Sequence, residues 1–353
     1  VPVARPEAAP DIAVVIRSRN EADRLRLTLA SLECQAARAE VVVVDDGSTD
    51  HTQAVLAAAA PRLPLRWLHH ATAQGRAAAA NAGAALARAP LLLFLDGDTL
   101  AAPDLLDHHL ALHHGAQHLI ARGETWHLRC TRLLQDPDAG TPFPGQAAAL
   151  AGRPAAEREQ LRVTLAQVRQ DFPAIARRAQ PGVYPGGDPR RLHEIEMTTL
   201  REAPECDVLW AAAAGSNLSV ARRAFQAAGG FNPAIDINEH RELALRLCQA
   251  GGRMVPASGA QSFHLTHRSQ WRDPLRDTAW EDAFLAAHPR PAVALLALFW
   301  ASLARHPAAA GAARIESLPA LAAAAATPDA AAFDAARQQL GLAALGSAFW
   351  RAA

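Results

Sequence analysis

Two aspartates one residue apart, Asp96 and Asp98 in Leu91–Leu100 (LLLFLDGDTL), are the residues of this chain whose type and spacing best suit chemistry. With Gly97 allowing a tight backbone path, their carboxylates could offer hard oxygen ligands to a divalent cation that keeps open positions for substrate phosphates. A second acidic pair, Asp45-Asp46, ends the apolar run in VVVVDDGSTD, and Arg17-Ser18-Arg19-Asn20-Glu21 follows IAVVI at Ile12–Ile16. DxD is a short pattern, and Asp98 or Thr99 could equally cap a helix beginning near Pro103. Four histidines, His108, His109, His113 and His114, crowd the next segment without matching ligands, so a solvated helix face is expected there.

The elements that must position these groups are legible from hydrophobic pattern. Leu91–Leu95 is a continuous apolar run, which reads as a strand buried on both faces; Ile12–Ile16 and Val41–Val44 read the same way, and Leu65–Leu68 is a third strand in chain order. Between them, Ala22, Leu25, Leu29 and Leu32 recur at helical spacing, a helix runs through Val55 to Ala60, and Gln74-Gly75-Arg76 opens an alanine helix reaching about Arg88. This alternation predicts an α/β fold, a mostly parallel sheet flanked by helices. Ligands of such sheets bind beyond the carboxyl ends of the strands, where each polar cluster above falls. A phosphoacceptor receiver domain also ends a strand in paired acids, but on its first strand and with a lysine partner; this chain has no lysine.

The alternation fails after Leu119-Ile120-Ala121. Pro- and Gly-rich loops at 135–152 and 180–189 surround a helical stretch near Glu157–Arg169, and another helix is expected from Arg191 to Glu202. Residues 123–204 therefore read as an insertion that shapes an acceptor pocket or lid. Order returns at Val208–Ala214, ahead of Gly215-Ser216-Asn217, and Gly229-Gly230 suggests a turn where the backbone needs positive φ or comes close to a ligand. A helix beginning near Asn238 buries Leu243, Leu245, Leu247 and Cys248, with Glu239, His240, Arg241 and Glu242 in its first turn; Gly251–Val255 and Phe263–Arg268 follow. The implied division is 11–122, the insertion 123–204, a second core half 205–272, and a helical tail 273–353.

The 353 residues suffice for a large core, and the 35 basic residues, all arginine, balance 35 acids. Zero formal charge offers no argument for a nucleic-acid surface. Cys34, Cys130, Cys206 and Cys248 form no CxxC, which suggests neither a zinc knuckle nor a disulfide framework and fits a reducing cytoplasm. The opening VPVARPEAAPD has no apolar signal core and is expected to be a short disordered lead. Ala292–Ala304 falls short of the roughly 20 residues that span a bilayer and reads as a buried helix, with peripheral membrane contact the less favoured option.

Taken together, AVVIRSRNEADRL, VVVVDDGSTD and QGRAAAANAGAALARAPLLLFLDGDT resemble the nucleotide-binding half of family 2 glycosyltransferases of the GT-A fold. AGSNLSVARRAFQAAGGFNPAIDINEHREL is similar to the acceptor half, including a galactosyltransferase-type segment. The resemblance covers about 11–115 and 205–270. It implies a metal-dependent, inverting transfer of a hexose from a nucleotide sugar, a UDP-sugar above all, to an acceptor hydroxyl on a saccharide, lipid or peptide. It further implies that Arg17, Arg19, Asn20, Glu21 and Asp46 hold uridine, that Gly75, Arg76 and Asn81 line the ribose and diphosphate, and that Gly215, Ser216 and Asn217 lie near the sugar. Asp96 and Asp98 would meet Mn²⁺ or Mg²⁺, Asp98 more directly, with His264 completing the site and His267 the second choice.

The chain departs from the family at two points. Relatives commonly read Glu-Asp before a Glu-Leu pair, the aspartate acting as base, whereas this chain reads Glu239-His240-Arg241-Glu242-Leu243. Three readings stay open: His240 is the base, Glu239 has taken over, or the chain is a catalytically degenerate nucleotide-sugar-binding protein or partner subunit. Ala80 stands where relatives often have arginine, which Arg76 one turn earlier could replace. A nucleotidyltransferase ranks lower, because no glycine-rich phosphate loop with a basic partner follows the first strand.

Overall fold

The computed structural model describes residues 9–116, 118–181, 192–267, 275–327 and 329–341. The expected lead at 1–8, most of the expected loop at 180–189, and the chain beyond 341 lie outside them.

Strands β1 (Ile12–Ser18), β2 (Ala39–Asp45), β3 (Leu65–His69) and β4 (Leu91–Asp96) alternate with helices α1 (Ala22–Glu33), α2 (Thr52–Ala59) and α3 (Arg76–Leu86). They pair in parallel in the order β3-β2-β1-β4. The register sets Ser18 beside Asp45 and Arg17 beside Asp96, so three polar strand ends share one edge. A three-residue strand, β5 (Thr99–Ala101), intervenes before α4 (Leu105–His113), where the sequence suggested only a helix start.

Beyond β6 (Leu119–His127), the insertion opens with a hairpin of β7 (Leu134–Asp136) and β8 (Thr141–Pro142), followed by α5 (Ala147–Ala151). The expected single helix over 157–169 is two, α6 (Ala155–Gln160) and α7 (Leu165–Gln170), because Thr164 stops the chain with a reciprocal capping box to Gln167. Then come α8 (Phe172–Ala176), β9 (Gln180–Pro181) pairing with β6, and α9 (Leu192–Glu202).

In the second half, 209–212 is a single tight 3₁₀ turn. A strand follows at β10 (Leu218–Ala221), inserted antiparallel between β4 and β6. Helix α10 (Arg222–Ala227) leads to Gly229 and Gly230, which have φ of 79° and 73°, as the double glycine predicts. After α11 (Glu239–Gln249), residues 253–255 and 263–264 belong to one long strand, β11 (Arg253–His264), parallel to β6 and antiparallel to β5. The tail comprises α12 (Ala279–Ala287), α13 (Pro291–Ala294), α14 (Leu296–Leu303), α15 (Leu318–Ala326) and α16 (Ala330–Gln339). No helix of the described residues is long and apolar enough to cross a membrane.

The sheet separates two cores. On one face, Ile12, Val14, Ile16, Leu93 and Leu95 pack with α1, α2 and insertion residues such as Val168 and Ile175. On the other, Ala13, Val15, Leu92 and Phe94 pack with α3, α9, α11 and the tail, and every side chain from Leu296 to Leu303 is buried. The tail is thus continuous with the core of the sheet, and its alanines are spacers between Trp280, Phe284, Phe299 and Trp300.

Candidate active site

The chain ends of β1, β2 and β4 border a cavity of about 970 Å³, the size of a substrate pocket. Its wall takes Arg17–Arg24 from the first loop and α1, Asp46 after β2, Gly75 and Arg76 at the start of α3, and Asp96 and Asp98 after β4. The insertion adds Gln135, Phe143 and Pro144, and the second half adds Asp236, His264 and His267.

The two aspartates of the DxD pair face different partners. Asp98 Oδ2 lies 3.0 Å from His264 Nε2 and 2.8 Å from His267 Nε2. The three residues can direct one ligand atom each to a common point, all within 4.8 Å of one another. A long-range pairing makes this possible: Thr99 is opposite His264, and Leu265 N–H donates to the Asp98 carbonyl. Burial opposes charge on Asp98 and His264 alike, but their attraction prevails, holding Asp98 well below and His264 above its ordinary pKa. His264 Nδ1 lies 3.3 Å from His127 Nδ1, which turns the other ring nitrogen toward Asp98. One carboxylate and two imidazoles fit a first-row divalent ion such as Mn²⁺ better than Mg²⁺, which prefers an all-oxygen shell.

Asp96 instead accepts from Arg17 Nε at 3.0 Å, and Arg17 Nη1 donates to Glu239 at 2.6 Å. Burial opposes charge on Glu239, yet Arg17 holds it well below the usual carboxylate range. Glu21 sits against Gly97 between the two aspartates; burial first, then the Asp98 charge, push its pKa well up. Asp46 accepts from His70 and from the backbone N–H groups of Gln74 and Gly75, pinning the turn that starts α3. Arg19 and Arg76 are exposed on the wall, and Asn20, at φ 54°, ties the first loop to Ser48 and Thr49.

Several expected residues stand behind the wall. Asn81 clamps Phe231 through both its backbone groups. The Gly215 carbonyl accepts from Arg17, Ser216 Oγ accepts from Asp96 N–H, and Asn217 is fully buried, bonded to His109, Ser262 and the Ala260 carbonyl. Glu239 and His240 are likewise absent from the wall among the described residues. His240 Nε2 accepts from Arg241 Nη1 at 2.7 Å, which places its ring proton on Nδ1, 3.7 Å from Glu239. Burial depresses its pKa to about 4. Arg241 is itself held by Glu196, Asn238 and the Ala211 carbonyl.

The α4 histidines correct one expectation. His109 is fully buried between Ser219 and Asn217, and His113 also reaches Ser219. They brace β10, while His108 is half-buried and His114 is exposed. Sequence reading also passed over Arg24, which donates to three carbonyls at 134, 135 and 265 and lies 5.0 Å from the Phe143 ring centre. An aromatic in the Pro-rich loop was the available signal for Phe143, and the acid in FNPAIDINEH was that for Asp236.

Comparison with known proteins matches residues 13–125 to Glycosyl transferase family 2. Validoxylamine A glucosyltransferase of Streptomyces hygroscopicus subsp. jinggangensis (strain 5008) is 43% identical over 110 residues, 30% of this chain and 26% of that protein. Succinoglycan biosynthesis protein ExoU of Rhizobium meliloti (strain 1021) is 38% identical over 101 residues, 28% of this chain and 30% of its own. The aligned stretch thus spans under a third of either relative. Among solved structures, S. aureus TarS superposes with a TM-score of 0.50 at 14% identity, covering 93% of this chain and 55% of that one. Residues 13–125 thus match glycosyl transferase family 2, and they lie in a GT-A fold whose sheet continues past the matched stretch.

Proposed function

We propose that this chain is a metal-dependent, inverting glycosyltransferase that moves a hexose from a UDP-linked donor to an acceptor hydroxyl. The carrying observation is the convergence of Asp98, His264 and His267 on the wall of a cavity at the carboxyl ends of parallel strands. These three side chains would hold the cation, which when bound supplies positive charge to the diphosphate leaving group. Arg19 and Arg76 add positive charge at the wall for the phosphates. Asn20 and Asp46 shape the two loops that flank the base, and Asp96 is oriented by Arg17 on the same wall. The insertion's hairpin brings Phe143 near His267, ring centres 6.3 Å apart, which suits it to form part of the acceptor side. Likeness of 205–270 to a galactosyltransferase-type segment supports the same assignment for the second half.

Titration calorimetry with UDP tests the reading. Wild type is expected to bind UDP in Mn²⁺ and to lose most affinity on chelation, and Asp98→Ala is expected to lose the metal-dependent part. Full Mn²⁺-dependent affinity in Asp98→Ala would sink the proposal. The position of Glu239 and His240 behind the wall favours one second reading, a nucleotide-sugar-binding protein without turnover. Screening UDP-hexoses for transfer or slow hydrolysis separates the two.

A further inference from the structure

We infer that Phe143 of the insertion is a stacking platform for a hexopyranose ring in the cavity, either the donor's own sugar or a saccharide acceptor. This rests on the transferase reading above, and it adds a sugar-binding element beyond the family match, which ends at residue 125. Among the described residues of the wall, Phe143 is the one phenyl, phenol or indole ring; the rest is charged, polar or small, apart from Pro144 beside it and the imidazoles. Apolar surface left open in such a wall is recovered when a ligand brings an apolar face of its own. A pyranose does so, because the axial C–H bonds on one side of the ring carry partial positive charge and suit the electron-rich face of a phenyl group.

The ring is braced from one side. The guanidinium of Arg24, itself 3% exposed, lies over it at 5.0 Å from the ring centre, and the half-buried ring lines the cavity with what remains. Its backbone is fixed as well: Phe143 N–H donates to the Leu133 carbonyl at 3.0 Å, and its carbonyl accepts from Gln146 N–H at 2.9 Å. Two arginines of α1 fasten the surrounding hairpin, Arg24 through the carbonyls of Leu134 and Gln135 and Arg26 through Asp136 and Asp138. Arg24 also donates to the Leu265 carbonyl, between His264 and His267, so one buried side chain sets the phenyl ring and the imidazoles in a common frame. A surface held in this way loses little freedom when it is covered.

Its neighbours say which part of a substrate it meets. The ring centre of Phe143 is 6.3 Å from that of His267, on the side of the wall where Asp98, His264 and His267 would hold the cation and its diphosphate. The loops expected to flank the base, at Asn20 and Asp46, belong to the ends of β1 and β2 instead. The sugar is joined to the diphosphate, so a pyranose is the ring closest to Phe143. Gln135, exposed on the same wall and in the same hairpin, has an amide able to donate to one hydroxyl and accept from another.

The test is titration calorimetry on the full chain in Mn²⁺. UDP is compared with UDP-glucose and UDP-galactose, and methyl glucoside and methyl galactoside are then titrated into the chain saturated with UDP. Phe143→Leu keeps an apolar side chain against Arg24 and removes the ring. It is expected to leave UDP affinity within about twofold of wild type and to weaken the UDP-hexose or the hexoside about tenfold. Phe143→Tyr, which keeps the ring, is expected to stay within about threefold for every ligand, a rescue that a purely structural role would not require. Loss confined to UDP-hexose puts the donor sugar on the ring; loss confined to the hexoside puts the acceptor there. Unchanged affinity of Phe143→Leu for every sugar-bearing ligand, or a loss that UDP alone shows in equal measure, overturns the platform and leaves the transferase reading standing. A wild-type chain without Mn²⁺-dependent affinity for UDP overturns that reading and the platform with it.

Discussion

Gly97 shows how little room the acidic strand end leaves. A Cβ there would sit 2.5 Å from Glu21 Oε1 and 2.8 Å from Ser18 Oγ. The Glu21 side chain can swing away, but the Ser18 hydroxyl is short and attached to β1, so the floor under Asp96 and Asp98 has to shift. Gly97→Ala is therefore expected to weaken Mn²⁺-dependent UDP binding about tenfold while lowering the melting temperature by only a few degrees, measured by calorimetry and thermal melts. At this scale the sequence distinguished types and left partners open. Asp96 and Asp98 are equivalent as letters, yet one faces an arginine on the adjacent strand and the other faces two histidines more than 160 positions later.

Arg17 joins three elements: the end of β1, the end of β4 through Asp96, and the first turn of α11 through Glu239. The helix start alone favours an acid, but Glu239 is buried, so its charge is tolerable chiefly because Arg17 is there. Arg17→Ala is expected to cost about 3–5 kcal/mol in urea unfolding at pH 7, the range for leaving one member of a buried pair uncompensated. Adding Glu239→Gln to that variant is expected to recover a large part; no recovery would mean that the pair is not what secures α11. Strand and helix identities in the first half were legible because apolar runs and helical spacing are local properties. Strands β5 and β10 were not, since three or four residues carry too little periodicity and owe their form to partners on β11, β4 and β6.

Across the whole molecule, burial of neutral histidine ties stability to pH. His109 and His240 are both held to a pKa of about 4, against about 6.5 in the unfolded chain, chiefly by burial. Between those values the unfolded chain binds more protons, so this stability is present above pH 6.5 and is lost as pH falls toward 4. His109 alone is expected to account for about 2 kcal/mol between pH 7 and pH 5. Urea midpoints of the metal-free chain should fall over that interval, and His109→Gln should flatten the slope; an unchanged slope would count against the burial account. The sequence by itself determined the α/β class, the acids and arginines at the strand ends, and the glycines at 97 and 229–230, because periodicity, residue chemistry and backbone freedom are carried by neighbouring positions. Only the tertiary structure decided that both His264 and His267 meet Asp98, where the resemblance offered them as first and second choice, that His109 is core, that Glu239 and His240 lie behind the cavity wall and that the alanine-rich tail completes the core. Each of these depends on pairing and burial between residues far apart in the chain, where no local pattern records which partner is near.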